Sequence, residues 1–82
     1  MKKKLNNKVF TIASDVFEEN LKKININSSM KNIENWDSVS HLNFIFSLEK
    51  EFGISFDPVI IVKVTSIKSI LDYISKQKLD NF

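Results

Sequence analysis

The sequence predicts an all-α protein, a small four-helix bundle of three longer helices and one short one, with a long loop between the first two. Three observations predict it. The 82 residues include one glycine and one proline, too few turn residues to punctuate a β-sandwich. Apolar residues recur at three- and four-residue steps over three separate stretches. The one β-branched run, Val59 to Val64, has no second strand to pair with.

Helix I is expected over about residues 5–21, where Leu5, Val9, Ile12, Ala13, Val16, Phe17 and Leu21 mark an apolar stripe. Lys8, Thr11, Asp15, Glu18 and Glu19 fill its other side. From Lys22 to Trp36 the period is lost and Asn and Ser abound, which reads as a long loop pinned by Ile24, Ile26, Met30 and Ile33. A loop of this length invites a functional explanation. Helix II is expected over about 38–52, with Leu42, Ile45, Leu48 and Phe52 on one face, Phe44 beside it and Gly53 to end it.

Asp57-Pro58 then offers a cap followed by proline at the first helical position, so a short helix III over about 58–63 is expected despite the strand propensity of its valines and isoleucines. Thr65 or Ser66 caps helix IV, about 66–77, with Ile67, Ile70, Leu71 and Ile74 inward and Lys76 and Lys78 near its C-terminal end. Residues 1–82 thus read as one small domain with a thin core.

Composition narrows the function. With no cysteine, disulfides, thiolate metal sites and cysteine nucleophiles are excluded, and a reducing cytoplasm is the expected setting. No apolar run reaches the roughly 20 residues that cross a bilayer. The basic start Met1–Lys4 is followed by Asn6, Asn7 and Lys8 rather than by the apolar stretch of a signal peptide. Net charge is +2, with excess lysine in residues 1–35 and a mildly acidic stretch from 37 to 64. Every cation but the lone His41 is lysine and the middle of the chain is mildly acidic, which argues against a nucleic-acid face, although a lysine-rich N-terminal binder stays a minor alternative. One histidine and scattered carboxylates make no metal site, since Asp57, Asp72 and Asp80 lack calcium-loop spacing.

The residues with the most chemical promise are Asp37 and Ser38, at the start of helix II directly after the long loop. Locally they read as an N-cap. Ser38 and His41, three apart, also suggest a hydrolase pair with Asp37. That reading fails because Asp37 adjoins the serine rather than backing the imidazole, and no glycine-rich turn offers an oxyanion hole. His41 is expected to be a partly exposed helix residue, and Trp36 a loop anchor packed on the bundle. Glu49 and Glu51 point to different sides of helix II and are expected on a solvated face.

Asp37-Ser38-Val39 resembles the Asp-Ser-Leu signature of the acyl carrier protein, or phosphopantetheine-binding carrier, family. The resemblance continues through His41-Leu42-Asn43-Phe44 and Ser47-Leu48-Glu49-Lys50-Glu51-Phe52-Gly53-Ile54. It then takes in Val64-Thr65-Ser66-Ile67 and Ile70-Leu71-Asp72-Tyr73-Ile74, without a gap from Trp36 to about Ser75. Helix I and its loop match only in length and pattern.

The resemblance implies a discrete, monomeric carrier bundle that is not itself an enzyme. Ser38 would bear a covalent 4′-phosphopantetheine arm taken from coenzyme A, with Asp37 as the helix cap beside it. A phosphopantetheinyl transferase would attach the arm, and a separate ligase or acyltransferase would load an acyl or aminoacyl thioester for downstream enzymes. Val39, Leu42, Phe46, Glu49, Val59 and Val62 are the expected partner-binding residues. An unmodified helical adaptor that keeps the fold is the alternative.

The chain departs from the family pattern in places. Val39 stands for the usual leucine, Trp36 precedes the signature, and Ser40 and Asn43 occupy positions where acids are common. Segment III is more apolar than usual, and Val59 and Val62 read equally well as core or as an exposed contact. Some family members shelter a fatty chain between the helices. Here Phe44, Phe46, Phe52 and Phe56 are expected to fill that space, leaving the cargo short or outside the bundle.

Overall fold

A computed structural model of the chain describes residues 2–77, with side chains from residue 4. Four α-helices follow in order: α1 (Lys2–Phe17), α2 (Ser38–Phe52), α3 (Pro58–Ile61) and α4 (Ile67–Ser75), with a 3₁₀ turn at Leu21–Lys23. The fold is the small all-α bundle with a long loop after the first helix. Lys78 and Asp80 lie outside the described residues.

Helix α1 ends at Phe17, short of the expected residue 21, and the cause is local. Glu18 adopts a left-handed conformation with φ 51°. Glu19 N–H then reaches Ser14 O at 3.0 Å and Glu18 N–H reaches Asp15 O at 3.4 Å. These two bonds are a Schellman closure built on a glutamate instead of a glycine. Leu21 therefore falls in the 3₁₀ turn and is exposed rather than inward.

The bounds of α2 agree with the periodicity. Gly53, at φ 65°, closes the helix, and Glu49 O accepts the Gly53 and Ile54 N–H groups. The face differs in one respect. His41, Phe44, Ile45, Leu48 and Phe52 point inward, while Leu42 is 43% exposed. Positions 41, 44, 45, 48 and 52 keep the helical period, so an inward histidine takes the place given to the leucine.

Helix α3 is a single turn, Pro58–Ile61, shorter than the expected 58–63. Asp57 caps it by accepting the Val59 N–H at 3.0 Å, which overrides the strand propensity of the run. Helix α4 starts one residue inside its expected bound and ends at Ser75 rather than 77. Ser66 is its cap and shares a reciprocal capping box with Ser69. Ile67, Ile70, Leu71 and Ile74 form its buried face.

The core runs where α1 packs on both α2 and α4. Its centre is aromatic. Phe17 stacks on Trp36 at 4.6 Å between ring centroids, and Phe44 meets both edge-on, at 5.1 Å and 5.5 Å. Such pairs add about 0.5–1.5 kcal/mol each beyond the area they bury.

The long loop is ordered by its own side chains. Asn25 accepts from Asn27 N–H at 2.8 Å, Asn32 from Ser29 N–H at 2.9 Å, and buried Ser28 Oγ from Asn25 N–H at 2.9 Å. Ile24, Ile33 and Trp36 are buried anchors, but Ile26 is exposed, contrary to the expectation that it pins the loop. Mid-loop, Met30 N–H donates to Thr65 O and Ile67 N–H donates to Ser28 O, an isolated antiparallel bridge that clips the loop to the start of α4.

Candidate functional site

The site is the first turn of α2 and what holds it. Asp37 sits in extended backbone, and its carboxylate accepts the Ser40 N–H at 2.9 Å. That bond satisfies one of the unpartnered N–H groups of a helix start. It also holds the Asp37 carboxyl below the usual carboxylate range, because the backbone N–H favours the charged form. Ser38 is therefore the first helical residue. It is exposed, and among the described residues nothing hydrogen-bonds its hydroxyl.

Trp36 packs beneath, 2% exposed, as the expected loop anchor. Asn35 supports it from the side by donating through Nδ2 to Phe17 O, a free carbonyl at the end of α1, at 2.8 Å. Trp36 Nε1–H donates to His41 Nδ1 at 3.0 Å, and His41 Nε2 meets Ile61 O at 2.7 Å. An indole nitrogen only donates and a carbonyl only accepts, so His41 is neutral with its proton on Nε2. Ile61 is the last residue of α3, and its carbonyl is one that the short helix leaves unpartnered. The imidazole thus ties the end of α3 to the start of α2.

This corrects the expectation for His41. It is 6% exposed rather than partly exposed, and both ring nitrogens are engaged away from Ser38. With the Asp37 carboxylate turned onto Ser40, the three residues make no nucleophile–base–acid relay. The signal for His41 was present in the sequence, in its inward helical position and in a tryptophan five residues before it.

The expected partner residues divide. Val39, Leu42 and Phe46 lie on the outer side of α2 and are exposed, Val39 by 71% and Phe46 by 56%. Phe46 therefore does not fill the core, whereas Phe44, Phe52 and Phe56 do. Val59 and Val62 both face solvent, at 59% and 72%, so segment III presents an apolar contact rather than core. Glu49 differs: its carboxylate accepts the Phe56 N–H at 2.7 Å and ties the turn before α3 to α2. Glu51 binds Lys8 of α1 at 2.8 Å. Among the described residues no group of acids, histidines or cysteines could hold a metal ion, and no helix is long and apolar enough to cross a membrane.

Fold and site define a small helical bundle with a serine exposed at a capped helix start and exposed apolar side chains on the same helix. The chain belongs to the phosphopantetheine attachment site family, whose model matches residues 7–74. Among solved structures 75 chains match. One is the holo acyl carrier protein from Geobacter metallireducens, 28% identical, with a TM-score of 0.78 over 94% of this chain and 92% of that one. No curated protein sequence matches the chain.

Proposed function

We propose that residues 1–82 act as one carrier unit, holding an acyl or aminoacyl group as a thioester on a 4′-phosphopantetheine arm joined to Ser38 Oγ. The observation that carries this reading is the exposed Ser38 hydroxyl at the first position of α2, on a helix start fixed by Asp37 and by the Trp36–His41–Ile61 bridge. The residues present fit such a group. A free, exposed hydroxyl accepts a phosphodiester without losing a partner, and the leading N–H groups and dipole of α2 favour the anion.

In the attachment, Ser38 Oγ attacks the pantetheine-side phosphorus of coenzyme A. A new P–O bond forms, the bond to the second phosphate breaks, and adenosine 3′,5′-bisphosphate leaves. The hydroxyl proton passes to a base on the transferase, since His41 faces the other way. When bound, the arm supplies a thiol on a flexible tether.

A phosphopantetheinyl transferase, a loading ligase or acyltransferase and downstream acyl-using enzymes are the partners of this cycle. The expected setting is the cytoplasm. Intact-mass analysis after incubation with coenzyme A and a broad-range phosphopantetheinyl transferase tests the reading. A gain of one phosphopantetheine group, lost in Ser38→Ala, is expected. An unchanged mass with folded protein overturns it in favour of an unmodified adaptor.

A further inference from the structure

Apart from the capping residues Asp37 and Asp57, the exposed side chains of α2 up to Leu48 and of α3 are uncharged, and several are apolar. From Ser38 to Leu48 no side chain of α2 carries charge, given neutral His41, and the exposed ones include Val39, Leu42 and Phe46. Helix α3 has no charged residue and adds Val59, with Val62 directly after it. The His41–Ile61 bond ties the end of α3 to the first turn of α2, and Val59 and Val62 on segment III are exposed, as Val39 and Phe46 of α2 are.

The two acids of α2 are already engaged within the fold. Glu49 and Glu51 lie beyond this stretch, about 16 and 20 Å along the helix from Ser38 at 1.5 Å per residue. Glu49 accepts the Phe56 N–H, and Glu51 pairs with Lys8. Asp37 and Asp57 remain, each sitting at a helix N-terminus where the dipole offsets part of its charge.

Given the Ser38 reading, on which this rests, we infer that the enzymes serving this serine dock through an apolar surface seated on Val39, Phe46, Val59 and Val62. Charge attraction to a basic patch is not what holds them. The occupant is the rim of the enzyme's own active site, which must close on Ser38 directly beside exposed Val39 at the start of α2. Contacts of this kind are insensitive to salt, whereas attraction between exposed charges is screened over about 8–10 Å at physiological ionic strength.

The test follows Ser38 modification by mass, using a purified broad-range phosphopantetheinyl transferase at saturating coenzyme A, with carrier concentration varied. Expected is a KM for the carrier that changes less than about twofold between about 0.05 and 0.5 M sodium chloride. Phe46→Asp and Val62→Asp, with helicity and Tm kept, should each raise that KM about tenfold. Glu51→Gln should leave it unchanged. A KM that rises tenfold with salt while both aspartate variants behave as wild type overturns the inference and leaves the Ser38 reading standing. A wild-type chain that sediments as a dimer, with Val62→Asp monomeric, overturns it too, by assigning the face to a second copy. Failure of Ser38 modification in the wild type at every salt concentration sinks the functional reading itself, and the inference with it.

Discussion

Trp36 Nε1–H donates to His41 Nδ1 at 3.0 Å, across the helix start that carries Asp37 and Ser38. Both rings are buried, and the imidazole passes the connection on to Ile61 O at the end of α3. The pair joins the long loop, α2 and α3 through one side chain.

Removing either partner alone should therefore cost more than the bond. His41→Ala leaves a buried indole N–H and a carbonyl unpartnered and should destabilise by about 2–4 kcal/mol. Trp36→Phe leaves Nδ1 without its donor and opens space beside Phe17, for about 1–3 kcal/mol. In a double-mutant cycle by urea denaturation, Trp36→Phe with His41→Phe should show coupling of about 1 kcal/mol or more. Simple additivity would mean that the two rings do not communicate.

The two left-handed residues should respond oppositely to substitution. Glu18 has a side chain where φ is 51°, and Glu18→Gly should relieve strain, giving a net gain of up to about 1 kcal/mol. Gly53→Ala meets no atom within 4 Å of the added Cβ, yet φ is 65°, so it should lose about 1–2 kcal/mol from backbone strain alone. Thermal unfolding reads both, as shifts of several degrees in opposite directions.

Asp37 links the helix start to pH. Its folded pKa is depressed by the Ser40 N–H, so its contribution is present above the unfolded value of 3.8 and is lost as pH falls through the lower folded value. Asp37→Asn keeps a cap but removes this titration, so its Tm profile should be flatter than that of wild type below about pH 4. Asp37→Ala should lower Tm at neutral pH and also slow Ser38 modification, because the serine loses the helix start that aims it. Equal acid limbs for wild type and Asp37→Asn would exclude the linkage.

Glu49 should behave as part of the fold rather than of a partner surface. Glu49→Ala removes the charged acceptor of the Phe56 N–H and should cost about 1.5–3 kcal/mol. Its KM in the modification assay should match that of wild type. A raised KM with unchanged stability would return Glu49 to the docking face.

Much of this was legible in the sequence because several signals agreed. For α2, the Asp37 cap, the periodic face and Gly53 name the same bounds that the structure has. Asp57-Pro58 settles α3 against the propensity of its own residues because a cap and a proline act at a helix start, while a lone strand has nothing to bond. The end of α1 was hidden, since only a backbone angle at Glu18 marks it and glutamate carries no sign of left-handedness. His41 was misplaced because its polarity was weighed above its inward helical position, and because its second partner, Ile61 O, is marked by no local pattern. Leu42 was assigned inward by hydrophobicity, although the period alone, followed through 41, 44, 45 and 48, already turned it out. The exposure of Val59 and Val62 was open in the sequence because one apolar turn cannot say which of its faces has a neighbour.

The clip between Ser28–Met30 and Thr65–Ile67 bears on how the module carries a mechanical load. A pull on Ser38 is passed to Asp37 and then to Trp36, which is wedged against Phe17, and the slack of a long loop is unavailable because its middle is fastened to α4. The serine is thus moored to the whole bundle. An enzyme drawing on anything tethered there would turn the protein as a rigid body rather than unspool the chain behind it.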